Sequence, residues 1–143
     1  MSRYVVDASV ASKWFIPEVH SEAALRLCRS QIRLHVPAFV TLELGNVIVK
    51  KIRRGELSPA EGETIRGELK QLPLQQHADA RLFPAAYQFA IATQRSLYDC
   101  LYLALAAAID GVLVTADRKF YAAVAKGVYG RRVLWVEDLP PAA

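Results

Sequence analysis

The chain has 143 residues, enough for one domain, and a chain of this size buries roughly 70% of the surface its unfolded form exposes. With 53% hydrophobic and 22% charged residues and a mean hydropathy of +0.16, it is not a disordered or linker-like segment. The formal charge of +4 is modest, but if acids gather in one place the remaining surface is more basic than that value, which suits a polyanionic partner. Cys28 and Cys100 stand far apart, outside any C-x-x-C pattern and in apolar helical stretches, as expected of buried reduced thiols in a reducing compartment. Met1-Ser2-Arg3-Tyr4 leaves no apolar block of secretory length, and the longest apolar run, Cys100–Ile109, falls short of the ~20 residues that span a bilayer. A soluble, cytoplasmic protein without membrane contact is expected.

In chain order, Tyr4 to Asp7 reads as a short strand, followed by helical segments around Ser9–Phe15, ended by Pro17, and about Ser21–Ser30. Leu34 to Val36 reads as a second strand. Pro37 opens a long helix, because proline's missing N–H has no partner in a helix's first turn, and that helix runs to Arg54 and stops at Gly55. Ser58-Pro59-Ala60-Glu61 is a capping box with proline at the first helical position; it predicts a helix to about Gln71 and, with the preceding helix, a helical hairpin. Leu72-Pro73 breaks the chain, the next few residues are open to an extended form, and Leu82–Thr93 is helical. Ser96 begins a helix to Ile109 that is apolar nearly all round and therefore central. Asp110-Gly111 ends it, Val112–Thr115 is a strand, Asp117 starts a helix to about Lys126, and Val133–Val136 is the last strand. Strands alternating with helices predict a mainly parallel sheet covered on both faces. One domain is expected over 1–138, with a short C-terminal tail at 139–143.

Four carboxylates, Asp7, Glu43, Asp99 and Asp117, stand in stretches otherwise apolar enough to be buried, and acids are rarely buried without a partner. Asp7 and Asp117 follow strands, where open α/β sheets bind ligands. Each also has a plainer reading: Asp7 and Asp117 as helix caps, Asp99 as the reciprocal member of a capping box with Ser96. Glu43 resists one. It is expected mid-helix on the core-facing stripe with Phe39, Val40 and Val47, and Asn46 one turn on is placed to orient it. Like charges ~4 Å apart cost on the order of 4 kcal/mol at an effective dielectric of 20, so converging acids call for a cation. No buried basic residue is evident beside each acid, and hard oxygen ligands suit Mg²⁺ or Mn²⁺. Such an ion lowers the pKa of its water and clamps phosphate oxygens, which points to phosphodiester hydrolysis.

Val5-Val6-Asp7-Ala8-Ser9, Glu43-x-x-Asn46, Tyr98-Asp99-Cys100-Leu101-Tyr102-Leu103-Ala104-Leu105-Ala106 and Thr115-Ala116-Asp117-Arg118-Lys119-Phe120 resemble the successive motifs of the PIN-domain nucleases, and their order and spacing are most similar to VapC-type toxins of toxin–antitoxin pairs. The resemblance covers essentially the whole chain, with Cys100 where alanine is more usual. It implies a three-layer α/β/α sandwich and a Mg²⁺- or Mn²⁺-dependent endoribonuclease that leaves 5′-phosphate and 3′-hydroxyl ends on structured RNA. It also implies a homodimer and a cognate antitoxin whose C-terminal segment blocks the site. On that resemblance Asp7, Glu43, Asp99 and Asp117 are the metal-site and catalytic acids, with Ser9, Asn46 and Thr115 as supporting hydrogen-bonders. A housekeeping PIN-type RNA-processing nuclease and a non-catalytic RNA-binding module of the same fold are the alternatives. A receiver domain wants an early acidic pair, and an aspartate-nucleophile phosphatase wants an Asp where Ser9 stands; neither gives Glu43 a role.

Lys50-Lys51-Ile52-Arg53-Arg54 fits a helix C-terminus, where cations meet the dipole favourably, as well as it fits phosphate tracking. Arg118 and Lys119 flank Asp117 and are the candidates for RNA contact. Trp14 and Phe15 are expected in packing before base stacking, and His20, His35 and His77 as ordinary surface or loop residues.

Overall fold

Tyr4, Val5 and Val6 form β1 (Tyr4–Val6), a fully buried strand whose apolar run suits the middle of a parallel sheet. In the computed structural model, which describes residues 3–29 and 32–139, it lies between β2 (Leu34–Pro37) and β4 (Val112–Thr115). β3 (Leu74–His77) and β5 (Val133–Trp135) form the edges. The order is β3-β2-β1-β4-β5 and every pairing is parallel. Tyr4 pairs with Leu34 on one side and Val112 on the other.

Helices join the strands: α1 (Ala8–Ala11) and α2 (Ser21–Arg29), α3 (Val40–Arg53) and α4 (Pro59–Leu69), α5 (Asp79–Thr93) and α6 (Leu97–Ala108), then α7 (Arg118–Ala125). They flank the sheet as the expected three-layer sandwich. α6 is the central helix; Cys100 to Ala106 are all buried and it packs on β1, β2 and β4. α3 and α4 form the predicted hairpin. Ser58 and Glu61 complete both halves of the capping box, and Gly55 ends α3 at φ 74°, in the left-handed region that favours glycine.

Several boundaries differ from the sequence reading. Pro37 closes β2 instead of opening a helix; α3 begins at Val40, and Asp79 supplies its missing cap by accepting from the Phe39 N–H at 3.1 Å. α5 starts at Asp79 instead of Leu82, and the segment after Pro73 is the edge strand β3. The helical stretch at Ser9–Phe15 is short α1 with a 3₁₀ turn at Ser12–Trp14, and β5 stops at Trp135. Leu139, read as the start of a tail, is buried in the core; residues 140–143 and the predicted end of α2 at Ser30 lie outside the described residues.

The histidines are not loop residues without partners. His35 on β2 and His77 on β3 bring ring nitrogens to 3.0 Å, and His20 meets a Glu137 oxygen at 2.7 Å. Trp14 packs, as expected, with its indole N–H donating to Ala24 O at 2.7 Å. Lys51 is held by Glu18 and Glu56, which gives it a structural role. Cys28 is half-buried and Cys100 buried, and both are free thiols. Among the described residues no helix is long and apolar enough to cross a membrane.

Candidate active site

The chain runs from β1 outward to β2 and β3, then returns to place β4 on the other side of β1. The crevice beyond the carboxyl ends of β1 and β4 is therefore a topological switch point, where open α/β sheets bind ligands. Asp7 follows β1 and Thr115 ends β4, so register alone brings them together. The Thr115 hydroxyl donates to Asp7 Oδ2 at 2.6 Å and the Ser9 hydroxyl to Oδ1 at 2.5 Å. The Val10 N–H also reaches Oδ1, at 3.2 Å. Ser9 Oγ in turn accepts from the Ala116 N–H at 2.9 Å, and Thr115 Oγ1 from the Asp117 N–H at 3.1 Å. The two hydroxyls thus tie the ends of β1 and β4 into one network around the Asp7 carboxylate. Ser9 and Thr115 thus each hold one oxygen of the Asp7 carboxylate.

Asp7 does cap α1, through that Val10 bond. The cap does not exhaust its role, because a solvent-facing cap has no reason to be buried and to accept from two further hydroxyls. Burial is the main cause that lifts its pKa from 3.8 to about 7, with the Glu43 charge adding and the Ser9, Thr115 and Val10 bonds opposing. Asp117 likewise caps α7, accepting from the Phe120 N–H at 3.1 Å.

Glu43 is in the first turn of α3, because that helix begins at Val40, and not in mid-helix as expected. Its half-buried carboxylate still turns inward, and the Tyr102 hydroxyl donates to Oε1 at 2.5 Å. Asn46, expected to orient it, is exposed; Tyr102 takes that part. Burial raises the Glu43 pKa and the charge of Asp99 adds to the rise. Tyr102, almost wholly buried, is held strongly in its neutral form by burial and by Glu43, Asp7 and Asp99, so it stays a donor.

Ser96 caps α6 by accepting from the Asp99 N–H at 3.0 Å, but the Asp99 carboxylate faces a cation. Arg95 Nη2 approaches Asp99 Oδ2 at 3.2 Å. Arg95 is half-buried, so Asp99 does have a basic neighbour, although not the fully buried one that the sequence reading found lacking. Burial raises the Asp99 pKa, Arg95 opposes and the charge of Asp117 adds. Asp7, Glu43, Asp99 and Asp117 thus form a row in which each acid feels the next.

Arg95 and Tyr102 are the residues the sequence reading missed. Tyr102 carried a helical signal, three residues after Asp99 on the same helix, whereas Arg95 lies before the Ser96 cap, outside α6, and carried none. At the other end of the site, the Arg118 guanidinium lies 3.8 Å from the centroid of the Trp135 ring. Trp135 pairs with Thr115 in register, so this stack borders the crevice. Among the described residues Arg118 has no carboxylate partner, and Lys119 is exposed. Phe39 and Tyr98 stack at 5.0 Å beside Glu43 and Asp99, with Tyr98 largely exposed.

The donor set is all hard oxygen, the chemistry Mg²⁺ and Mn²⁺ prefer. Among the described residues no three His, Cys, Asp or Glu side chains are grouped as a ready metal site. The acids thus match such an ion in donor chemistry, although their carboxylates are not gathered into a ready site.

The PIN domain family matches residues 4–126. Ribonuclease VapC3 of Pyrobaculum aerophilum is 34% identical over 119 residues, 82% of this chain and 91% of that one. Ribonuclease VapC9 of Mycobacterium tuberculosis is 31% identical over 113 residues, 79% of this chain and 84% of its own. Among solved structures, a protein of Pyrobaculum aerophilum superposes with a TM-score of 0.67 at 23% identity, covering 95% of this chain and 85% of that one. A toxin–antitoxin complex from Klebsiella pneumoniae gives 0.65 at 15% identity, with 95% and 99% covered. These structural likenesses carry the fold.

Proposed function

Because this chain belongs to the PIN domain family, with residues 4–126 matching it, we propose that it is an endoribonuclease and the toxin of a toxin–antitoxin pair. The observation that carries the reading is the Ser9–Asp7–Thr115 hydrogen-bond network at the β1/β4 crevice, with Glu43, Asp99 and Asp117 following one another in electrostatic influence from it. The relatives named VapC ribonuclease, alike along most of their length, support the same activity. A cytoplasmic location fits a nuclease of that kind.

Asp7, Glu43, Asp99 and Asp117 would hold a Mg²⁺ or Mn²⁺ ion. Such a cation supplies an activated water at neutral pH and neutralises charge on a phosphodiester. The protein's own part is to hold the acids ready. Ser9 and Thr115 fix both oxygens of Asp7, and Tyr102 fixes one of Glu43. Ionised acids are needed to attract the ion, so the raised pKa values make cation binding and deprotonation mutually reinforcing. Arg118, stacked on Trp135 and without a hydrogen-bond partner for its N–H groups among the described residues, is a preorganised fork for a phosphate of the RNA. Lys119 adds charge, and the exposed Tyr98 ring offers a face for a base.

Two protein partners belong to this reading. A groove of about 580 Å³ between α3, α4 and β3 has an apolar lining that includes Val40, Leu42 and Leu74, with Arg66 and Lys70 beside them; this chemistry suits an acidic amphipathic segment of an antitoxin. The outward stripe Phe83, Tyr87 and Ile91 on α5, each at least half exposed, supports a homodimer, since an exposed apolar patch marks an interface. Purified protein with Mn²⁺ is expected to cleave RNA, and Asp7→Asn or Asp99→Asn to abolish that cleavage. Full cleavage by both variants would end the proposal.

A further inference from the structure

Arg95 stands in the link 94–96 between α5 and α6, and its backbone is held on both sides. Gln94 takes φ 60° and bonds Ala90 O, the Arg95 N–H donates to Thr93 Oγ1 at 3.3 Å, and Ser96 caps α6. The side chain is placed differently. One nitrogen reaches Asp99, the guanidinium lies 5.8 Å from the centroid of the Phe120 ring, and Nε is buried with no hydrogen-bond partner among the described residues. An arginine fitted to a structural socket satisfies its buried N–H groups. This one does not, so attraction to the acids accounts for its position better than a fitted socket does.

Asp99 is the middle of the row, coupled to Glu43 on one side and Asp117 on the other. A divalent ion drawn to these acids meets the guanidinium on the same carboxylate, and the two cations repel. We infer that Arg95 is an internal counter-ion: it holds Asp99 while the row lacks its divalent cation, releases it when the ion arrives, and so sets how tightly the ion is held. The inference rests on the metal-site reading above. Arg95 is partly exposed, at 27% of its side chain, which leaves it a path outward to water or to a phosphate of the substrate. Release costs the protein one ion pair and relieves the unpaired Nε.

The test uses the full chain stripped with EDTA, with Mn²⁺ alone as the probe. Mn²⁺ affinity is read by titration calorimetry and the melting temperature is read in EDTA. Arg95→Gln is expected to bind Mn²⁺ about tenfold tighter and, without metal, to melt a few degrees lower, because the acids then repel unopposed. Arg95→Met keeps an apolar stem beside Phe120 and should show the same two changes if the Gln variant folds poorly. Opposite signs in the two readouts are the signature. A merely structural arginine would weaken both, and unchanged or weaker Mn²⁺ binding in the variants overturns the inference. If the parent protein and both variants bind no Mn²⁺, the metal-site reading fails first and this inference with it.

Discussion

Replacing Asp7 by Asn should make the metal-free protein less sensitive to pH. Burial lifts the Asp7 pKa from 3.8 to about 7, so the folded state keeps the proton to a higher pH than the unfolded chain does. The folded state therefore loses stability as pH rises between those values, and the loss levels off above them. At about 1.4 kcal/mol per unit, ionised Asp7 costs the metal-free fold about 4 kcal/mol in all, of which about 3 kcal/mol falls between pH ~5 and pH ~8.5. That is a large share of the ~5–15 kcal/mol that typically holds a domain together. Asn keeps an oxygen for Ser9 and Val10 but turns an amide toward Thr115, whose hydroxyl must rotate to accept; the lost bond costs about 1 kcal/mol. Denaturant unfolding in EDTA at the two pH values measures the effect. Asp7→Asn should be slightly less stable than the parent at the lower pH and more stable at the higher. Glu43 and Asp99 are raised too and keep part of the pH slope in both proteins, so the difference between slopes is the observable. Parallel pH curves for parent and variant would refute the reasoning.

Thr115→Val keeps the shape but removes the donor to Asp7 and the acceptor for the Asp117 N–H; a loss of about 1–3 kcal/mol in unfolding free energy and a fall in RNA cleavage are expected. Tyr102→Phe takes away the donor to Glu43 and should raise the Glu43 pKa further, shifting the rise of activity with pH to higher values in a pH–rate profile. Arg118→Ala should raise KM for RNA several-fold with kcat little changed, while Lys119→Ala does less because no ring among the described residues holds that side chain; equal effects would discount the Trp135 stack. Chelation with EDTA should stop cleavage and Mn²⁺ restore it, and cleavage that survives chelation would remove the metal from the mechanism.

The alternation of strands and helices, the α3–α4 hairpin with its Ser58–Glu61 box and the central place of α6 could all be read from the chain. These features are local: they follow from apolar periodicity, from caps within a few residues, and from motifs whose backbone hydrogen bonds close nearby. Two errors show where locality ends. Pro37 suits a helix's first turn by its own chemistry, yet pairing with β3 keeps it in a strand, and the cap for α3 comes from Asp79. Glu43 and Asn46 share one helix, yet it is Tyr102, 59 residues away, that reaches the Glu43 carboxylate from α6. Arg95 beside Asp99 and the Arg118 stack on Trp135 were decided in the same way, by how elements pack and by the register of β4 on β5. Only tertiary structure sets which groups meet across the crevice, and hence which acids are desolvated, which are paired with a cation, and how each one titrates. The acids can be picked out in the chain; their electrostatics belong to the fold.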